Sequence, residues 1–253
     1  MSMVHFVGAG PGAADLITLR GKALLECTDV VIYAGSLVNP ALLEYTKPGC
    51  EIHNSAEMTL DEVLSVMRGA VCESKRVVRL HTGDPCLYGA IREQMDALSA
   101  DGIEYDVCPG VSSFCASAAA LRAEYTLPEV SQTVIITRAA GRTPVPEREN
   151  LRALAAHGAT LVLFLSMSLL DTVSADLMAG GYAPDTPAAI VYKASWPEER
   201  VLRCTVANLA ETARTEGITK TALICMGRFL GEDYALSRLY AADFSTEFRE
   251  AKA

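Results

Sequence analysis

Long apolar runs are missing from this chain of 253 residues. The longest strongly apolar stretch, Ala159 to Leu170, is interrupted by Thr160, Ser166 and Ser168 and stops at Asp171. It is shorter than the ~20 residues a membrane-spanning helix needs, so no membrane partner is expected. Basic residues are too few to balance the acidic ones, and the net charge is −9. That disfavours a general grip on nucleic acid and leaves room only for a local basic patch. Paired cysteines are also absent. The nearest two of the eight, Cys108 and Cys115, are seven residues apart. Without a C-x-x-C, neither a zinc site nor a thioredoxin-like redox site is suggested, and no metal is expected. Cys225, inside an apolar run, reads as a small core hydrophobe. The opening MSMVHFVGAG has no basic segment before its apolar residues, so no signal peptide is expected. A reducing cytoplasm is the expected location. Low-complexity segments and short-period repeats are absent as well.

Half the residues are hydrophobic and 21% are charged, which is the balance of a folded chain able to bury a substantial core. The length suits one large domain or two small ones. Short β-branched runs alternate with helical patterns. Val4 to Val7, Val30 to Tyr33, Val77 to Leu80 and Tyr105 to Val107 read as strands. Between them, Leu16, Leu19, Ala23 and Leu24 mark one helix. Thr59 and Glu62 form a capping box ahead of Val63, Leu64 and Met67, and Ile91, Met95 and Leu98 mark a third helix. This rhythm predicts a mostly parallel sheet covered on both faces. A second series follows, with strands over Val134 to Thr137, Thr160 to Leu165, Ala188 to Tyr192, Val201 to Cys204 and Thr221 to Met226. A helix through Leu169, Leu170, Val173 and Leu177 lies among them, and Ala140 to Pro146 reads as a surface loop. The expected fold class is therefore α/β, with two α/β domains, residues 1–110 and 111–253, built on mainly parallel or mixed sheets.

Three glycine-bearing loops each follow a strand. Gly8-Ala9-Gly10-Pro11-Gly12-Ala13 fits G-x-G-x-x-A, a dinucleotide-binding variant. Against a nicotinamide site, Pro11 lacks the N–H a phosphate cradle would use. The acid that grips a ribose after strand two is also missing, because Tyr33 is followed by Ala34-Gly35-Ser36 and Asp29 lies at the other end of that strand. The same residues equally describe a tight strand-to-helix turn. His81-Thr82-Gly83-Asp84-Pro85 is either a ligand loop with one carboxylate or an Asx turn. In Pro109-Gly110-Val111-Ser112-Ser113 the hydroxyls either cap a helix or face a cleft. All three loops lie at the carboxyl ends of strands, where open α/β sheets bind ligands.

Taken together, GAGPGAADLITLRG (Gly8 to Gly21), the GDP turn (Gly83 to Pro85), PGVSS (Pro109 to Ser113) and TALICMGR (Thr221 to Arg228) resemble the class III tetrapyrrole methyltransferase family over nearly the whole chain. Within it, YAGSL (Tyr33 to Leu37) and NSAEMTLDE (Asn54 to Glu62) resemble the branch that methylates C11 of precorrin-4 in cobalamin biosynthesis. EYTLPEVSQ (Glu124 to Gln132), GRTPVP (Gly141 to Pro146) and SRLYAADF (Ser237 to Phe244) resemble its oxygen-independent, cobalt-precorrin-4 side. Alternatives are methylation at C20 or C17, or a nicotinamide-dependent oxidoreductase.

The resemblance implies a homodimer that binds S-adenosylmethionine in an inter-domain cleft, releases S-adenosylhomocysteine and acts on a small-molecule tetrapyrrole. Its cofactor contacts fall on Pro11, on Gly83, Asp84 and Leu87, on Ser112 and Ser113, and on Leu165, Ala194, Ala222 and Leu223. Uroporphyrinogen III enzymes of the family carry an acid just after strand two and a lysine in the next loop. Those places hold Ala34 and Ser55 here, which points away from that substrate. No catalytic base is carried over, although Asp84 and Tyr88 lie near the expected site. Arg92, Arg122, Arg138, Arg142 and Lys193 lie in or near loops where substrate carboxylates could be met.

Overall fold

The computed structural model describes residues 3–251. They form two compact units. The first contains residues 3–116 together with 193–199, and the second contains 117–192 and 200–251. The single cut read from the sequence lay between Gly110 and Val111.

The first unit is built on strands β1 (Val4–Gly8), β2 (Val30–Tyr33), β3 (Glu51–Asn54), β4 (Val77–His81) and β5 (Tyr105–Cys108), in the order β3-β2-β4-β1-β5. Every neighbouring pair is parallel. Parallel strands need crossovers, and here they are α1 (Leu19–Cys27), α2 (Leu60–Cys72) and α3 (Arg92–Ala100). The predicted capping box of α2 is formed, with Thr59 Oγ1 accepting from the Glu62 N–H and the Glu62 carboxylate accepting from the Thr59 N–H. Val4, Phe6, Val30, Ile32 and Val77 pack against Val63, Leu64, Met67 and Leu98 on one face. Val7, Val31, Val78 and Leu80 pack against Ile17, Leu25, Val38 and Leu42 on the other. Burial of both faces is why β1, β2 and β4 read as mostly apolar runs, with the buried His5, Arg79 and His81 as the exceptions. β3, Glu51-Ile52-His53-Asn54, was not expected from the sequence. It is an edge strand whose residues are exposed or half-buried, so it carries no apolar signal.

After a helix, α4 (Ser113–Leu121), the second sheet contains β6 (Val134–Arg138), β7 (Thr160–Phe164), β8 (Pro187–Tyr192), β9 (Arg200–Thr205) and β10 (Ala222–Met226), in the order β6-β7-β10-β8-β9. β6 and β7 run parallel and the other pairs antiparallel, so this sheet is mixed. Leu161, Leu163, Ile190, Ile224 and Met226 bury one of its faces under α5 (Leu151–Ala155), α6 (Leu170–Ala179) and α7 (Leu209–Thr215). Among the described residues, no helix is long and apolar enough to cross a membrane.

Candidate functional site

In the first sheet β1 and β4 are neighbours, yet their chains leave in opposite directions. β1 continues to β2 on one side, and β4 continues to β5 on the other. That is a topological switch point, the place where open parallel sheets form a crevice beyond their carboxyl ends. The loops after β1, β4 and β5 meet there through backbone atoms. Gly10 and Gly83 form an antiparallel bridge, Gly83 N–H donating to the Gly10 carbonyl at 2.8 Å and Gly10 N–H to the Gly83 carbonyl at 3.2 Å. A Cβ on Gly8 would stand 2.5 Å from Gly110 Cα, and one on Gly110 would stand 2.2 Å from the Gly83 carbonyl oxygen. No side chain fits at either position, and that explains the spacing of glycines that the sequence displays.

Asp84 staples two of these loops. One carboxylate oxygen accepts from the Cys86 N–H at 2.8 Å and the other from the Gly110 N–H at 2.9 Å. Burial acts to raise its pKa, but the hydrogen bond from the Cys86 thiol and these two backbone bonds together outweigh it and hold the group below the usual carboxylate value. Asp84 is therefore an ionised anchor at neutral pH. The Asx-turn reading of the GDP turn holds, since Asp84 bonds two residues onward in its own turn, and the same carboxylate also reaches the next loop. The neighbouring thiols are pushed up, Cys86 chiefly by its hydrogen bond with Asp84 and Cys115 chiefly by burial, so both stay protonated at neutral pH.

The first glycine loop is held from several sides. The Pro11 carbonyl accepts from Trp196 Nε1 at 3.0 Å, the Gly12 carbonyl from Asn39 Nδ2 at 2.8 Å, and the Ala13 N–H donates to Ser195 Oγ at 3.0 Å. With the Gly10 N–H committed to Gly83 and none on Pro11, this loop is built as a tight turn and is a poor phosphate cradle. Ser112 is buried and its carbonyl accepts from the N–H groups of Cys115 and Ala116 at the start of α4, while Ser113 and Leu87 are half-buried in the same unit. Ala194 is buried in the segment that carries Ser195 and Trp196. Thus Pro11, Gly83, Asp84, Leu87, Ser112, Ser113 and Ala194 all belong to the first unit.

Leu165, Ala222 and Leu223 belong to the second. Leu165 follows β7, and Ala222 and Leu223 begin the adjacent antiparallel β10, so the three share one end of that sheet. Leu165 is 68% exposed with φ +53°, an unfavourable backbone for a leucine and an unfavourable place for its side chain. Such strain collects at functional positions. Leu223 is buried.

Of the basic residues, Arg92 is paired with Asp96, and Lys193 with Glu198. Arg138 donates to the carbonyls of Thr143 and Pro144, bracing its own loop. Arg122 and Arg142 are exposed. Behind the Gly83 loop lies a buried polar pair on β4. Arg79 donates to Gln94 Oε1 and the Ile32 carbonyl, both at 3.2 Å, and burial lowers its pKa to about 10. Burial and the Arg79 charge push His81 down to about 3, so its ring is neutral.

Sequence reading missed Trp196, Ser195 and Asn39 as partners of the first loop. Asn39 stands before Pro40, a turn signal, but nothing local ties any of the three to Gly12.

The model of the family described as Tetrapyrrole (Corrin/Porphyrin) Methylases matches residues 3–210. A cobalt-precorrin-4 C(11)-methyltransferase of Methanocaldococcus jannaschii is 55% identical over 98% of this chain and 96% of its own length. The X-ray structure of cobalt precorrin-4 methyltransferase, a cobalamin biosynthetic enzyme, superposes with TM-score 0.89 at 48% identity, covering 91% of this chain and 96% of that one. A uroporphyrin-III C-methyl transferase from Thermus thermophilus, complexed with S-adenyl homocysteine, superposes with TM-score 0.74 at 27% identity, covering 91% and 94%.

Proposed function

Because this chain belongs to the tetrapyrrole methylase family, we infer that it transfers a methyl group from S-adenosylmethionine to C11 of cobalt-precorrin-4 in cobalamin biosynthesis. The observation that carries this reading is the junction of Gly8, Gly83 and Gly110 at the switch point, stapled by Asp84. It suits this cofactor in particular. The junction offers packed backbone, two serines and one ionised carboxylate, and in its first loop the Gly10 N–H is committed to Gly83 while Pro11 has none, which suits a dinucleotide's phosphates poorly. A carboxylate favours a ligand bearing ammonium and sulfonium charge.

S-adenosylmethionine supplies, when bound, a methyl group already activated by its sulfonium. Pro11, Gly83, Asp84, Leu87, Ser112, Ser113 and Ala194 are the residues that would hold it on the first unit. Leu165, Ala222 and Leu223 enter on the family's pattern, supported by the strained, exposed setting of Leu165. The chain's own task is placement, because holding a nucleophilic ring carbon in line with an activated methyl can supply ~7–11 kcal/mol of the barrier. Asp84 serves that task by fixing the loops, and no side chain is assigned as an obligate base.

Regiochemistry belongs to the turn after β2. It is shaped by Gly35 and Ala34, where uroporphyrinogen III enzymes resemble one another in carrying an acid. The protein is further proposed to act as a cytoplasmic homodimer. The test is incubation with labelled methyl donor and each candidate precursor, followed by NMR. Label at C11 of cobalt-precorrin-4 is expected. Label at C20 or C17, or efficient turnover of uroporphyrinogen III, would overturn the assignment.

A further inference from the structure

The segment Lys193–Glu199 interrupts the β8–β9 hairpin, yet it is part of the first unit, where it grips the first glycine loop from one side. Its hold has three parts. Trp196 Nε1 donates to the Pro11 carbonyl at 3.0 Å. Ser195 Oγ accepts from the Ala13 N–H at 3.0 Å. The indole also lies close enough to Gly12 that a Cβ there would sit 2.0 Å from its Cδ1. The segment is itself tensed. Lys193 and Ser195 have φ of +46° and +68°, conformations that non-glycine residues adopt at a cost. It is braced from within by the Ser195 N–H donating to the Glu199 carboxylate at 2.6 Å and by Lys193 Nζ, 5.1 Å from the centre of the indole. Strain maintained by this many bonds, on a surface loop, calls for a use.

We propose that Lys193–Glu199 is a strap and that Trp196 is a positioning residue for the methyl donor. On the reading above, Pro11 and Ala194 both touch the cofactor. The indole N–H ties the carbonyl of the first to the segment that carries the second. Trp196 touches neither substrate nor reacting atoms; it sets the distance between two surfaces that do. Donor affinity should therefore depend on the indole seat even where the first loop's own sequence is intact. Two unlike changes should produce one effect: Trp196→Phe removes the N–H, and Gly12→Ala leaves the tryptophan chemically whole but denies it a seat.

Trp196 is the sole tryptophan of the chain, so its emission reports the strap directly. Calorimetry with S-adenosylhomocysteine should show about five- to tenfold weaker binding for each variant, on the scale of one lost hydrogen bond. The double variant should be no weaker than the worse single one, because both break the same contact. In steady-state methyl transfer the KM for the donor should rise by a similar factor, with a clearly smaller loss in kcat. Wild-type fluorescence should change saturably with S-adenosylhomocysteine at the calorimetric Kd, and Gly12→Ala should start with red-shifted emission. Where Trp196→Phe fails to fold, Ser195→Ala, which removes only the acceptor for Ala13, takes its place and should weaken binding in the same direction. Folded variants that bind within about twofold of wild type, or additive losses, would overturn the strap. Absence of S-adenosylhomocysteine binding in the wild-type protein would instead overturn the proposed function on which the strap rests.

Discussion

Asp84 and His81 stand three residues apart and solve opposite problems. Asp84 remains charged because the Cys86 thiol and the N–H groups of Cys86 and Gly110 replace its lost water. His81 remains neutral because burial and the adjacent Arg79 penalise its cation, and its Nε2 has no hydrogen-bond partner among the described residues. The sign of the second effect can be tested. An unfolded histidine takes up a proton as pH falls through its ordinary value of 6.5, whereas the folded His81 does so only near 3. Between those values the unfolded state binds more protons, so His81 contributes stability that is complete above pH 6.5 and is lost as the pH falls towards 3. His81→Gln removes this dependence. Its urea midpoint should change less than the wild-type midpoint between about pH 7 and about pH 5. Equal slopes would show that the ring is protonated or solvated in the native protein.

Among the elements, the turn after β2 shows how a motif becomes a shape. Gly35 N–H donates to Asn54 Oδ1 at 3.1 Å, and a Cβ on Gly35 would stand 2.1 Å from that oxygen. Ser55 Oγ donates to the Tyr33 carbonyl, and Thr82 Oγ1 to the Leu37 carbonyl. The turn is thereby locked between the end of β3 and the loop that carries Gly83. Ala34 is half-buried within it. It packs against the core that includes Ala9 and Val38, so a phenylalanine there would shift the turn next to the loops proposed to hold the donor. Ala34→Phe should slow methyl transfer by roughly tenfold or more while donor affinity, read by calorimetry, stays within about twofold, since misplacing a substrate costs rate. A matched loss of both would make the turn part of the cofactor site instead.

For the molecule as a whole, several of the most exposed apolar residues lie near the C-terminal end of the described chain. Leu236, Tyr240 and Phe248 are each at least 80% exposed, and Leu239 and Tyr234 are more than half exposed. Around them Arg249 donates to the carbonyls of Leu239, Ala241 and Phe244, so the segment holds a defined shape while presenting its apolar groups outward. Apolar surface of this kind favours self-association. Light scattering at micromolar concentration should give about twice the chain mass of 27.0 kDa; a species at the chain mass would overturn the homodimer.

The strands and the glycine loops were legible in the sequence because their causes are local. A parallel strand buried on both faces is largely apolar, as Val30 to Ile32 is, and a turn pressed against other backbone must be glycine, as Gly8 and Gly110 are. The capping box of α2 is likewise a matter of residues three apart. What could not be read was every feature whose partners are distant in the chain. β3 is a strand only because β2 offers it an edge. Asp84 finds the Gly110 N–H 26 residues away, and Trp196 finds the Pro11 carbonyl 185 residues away. Neither pairing leaves a periodicity or a spacing that marks it. Such contacts form only after the strand order has brought the loops together, so side-chain roles at this site were decided by tertiary structure even where the residue types were already in view.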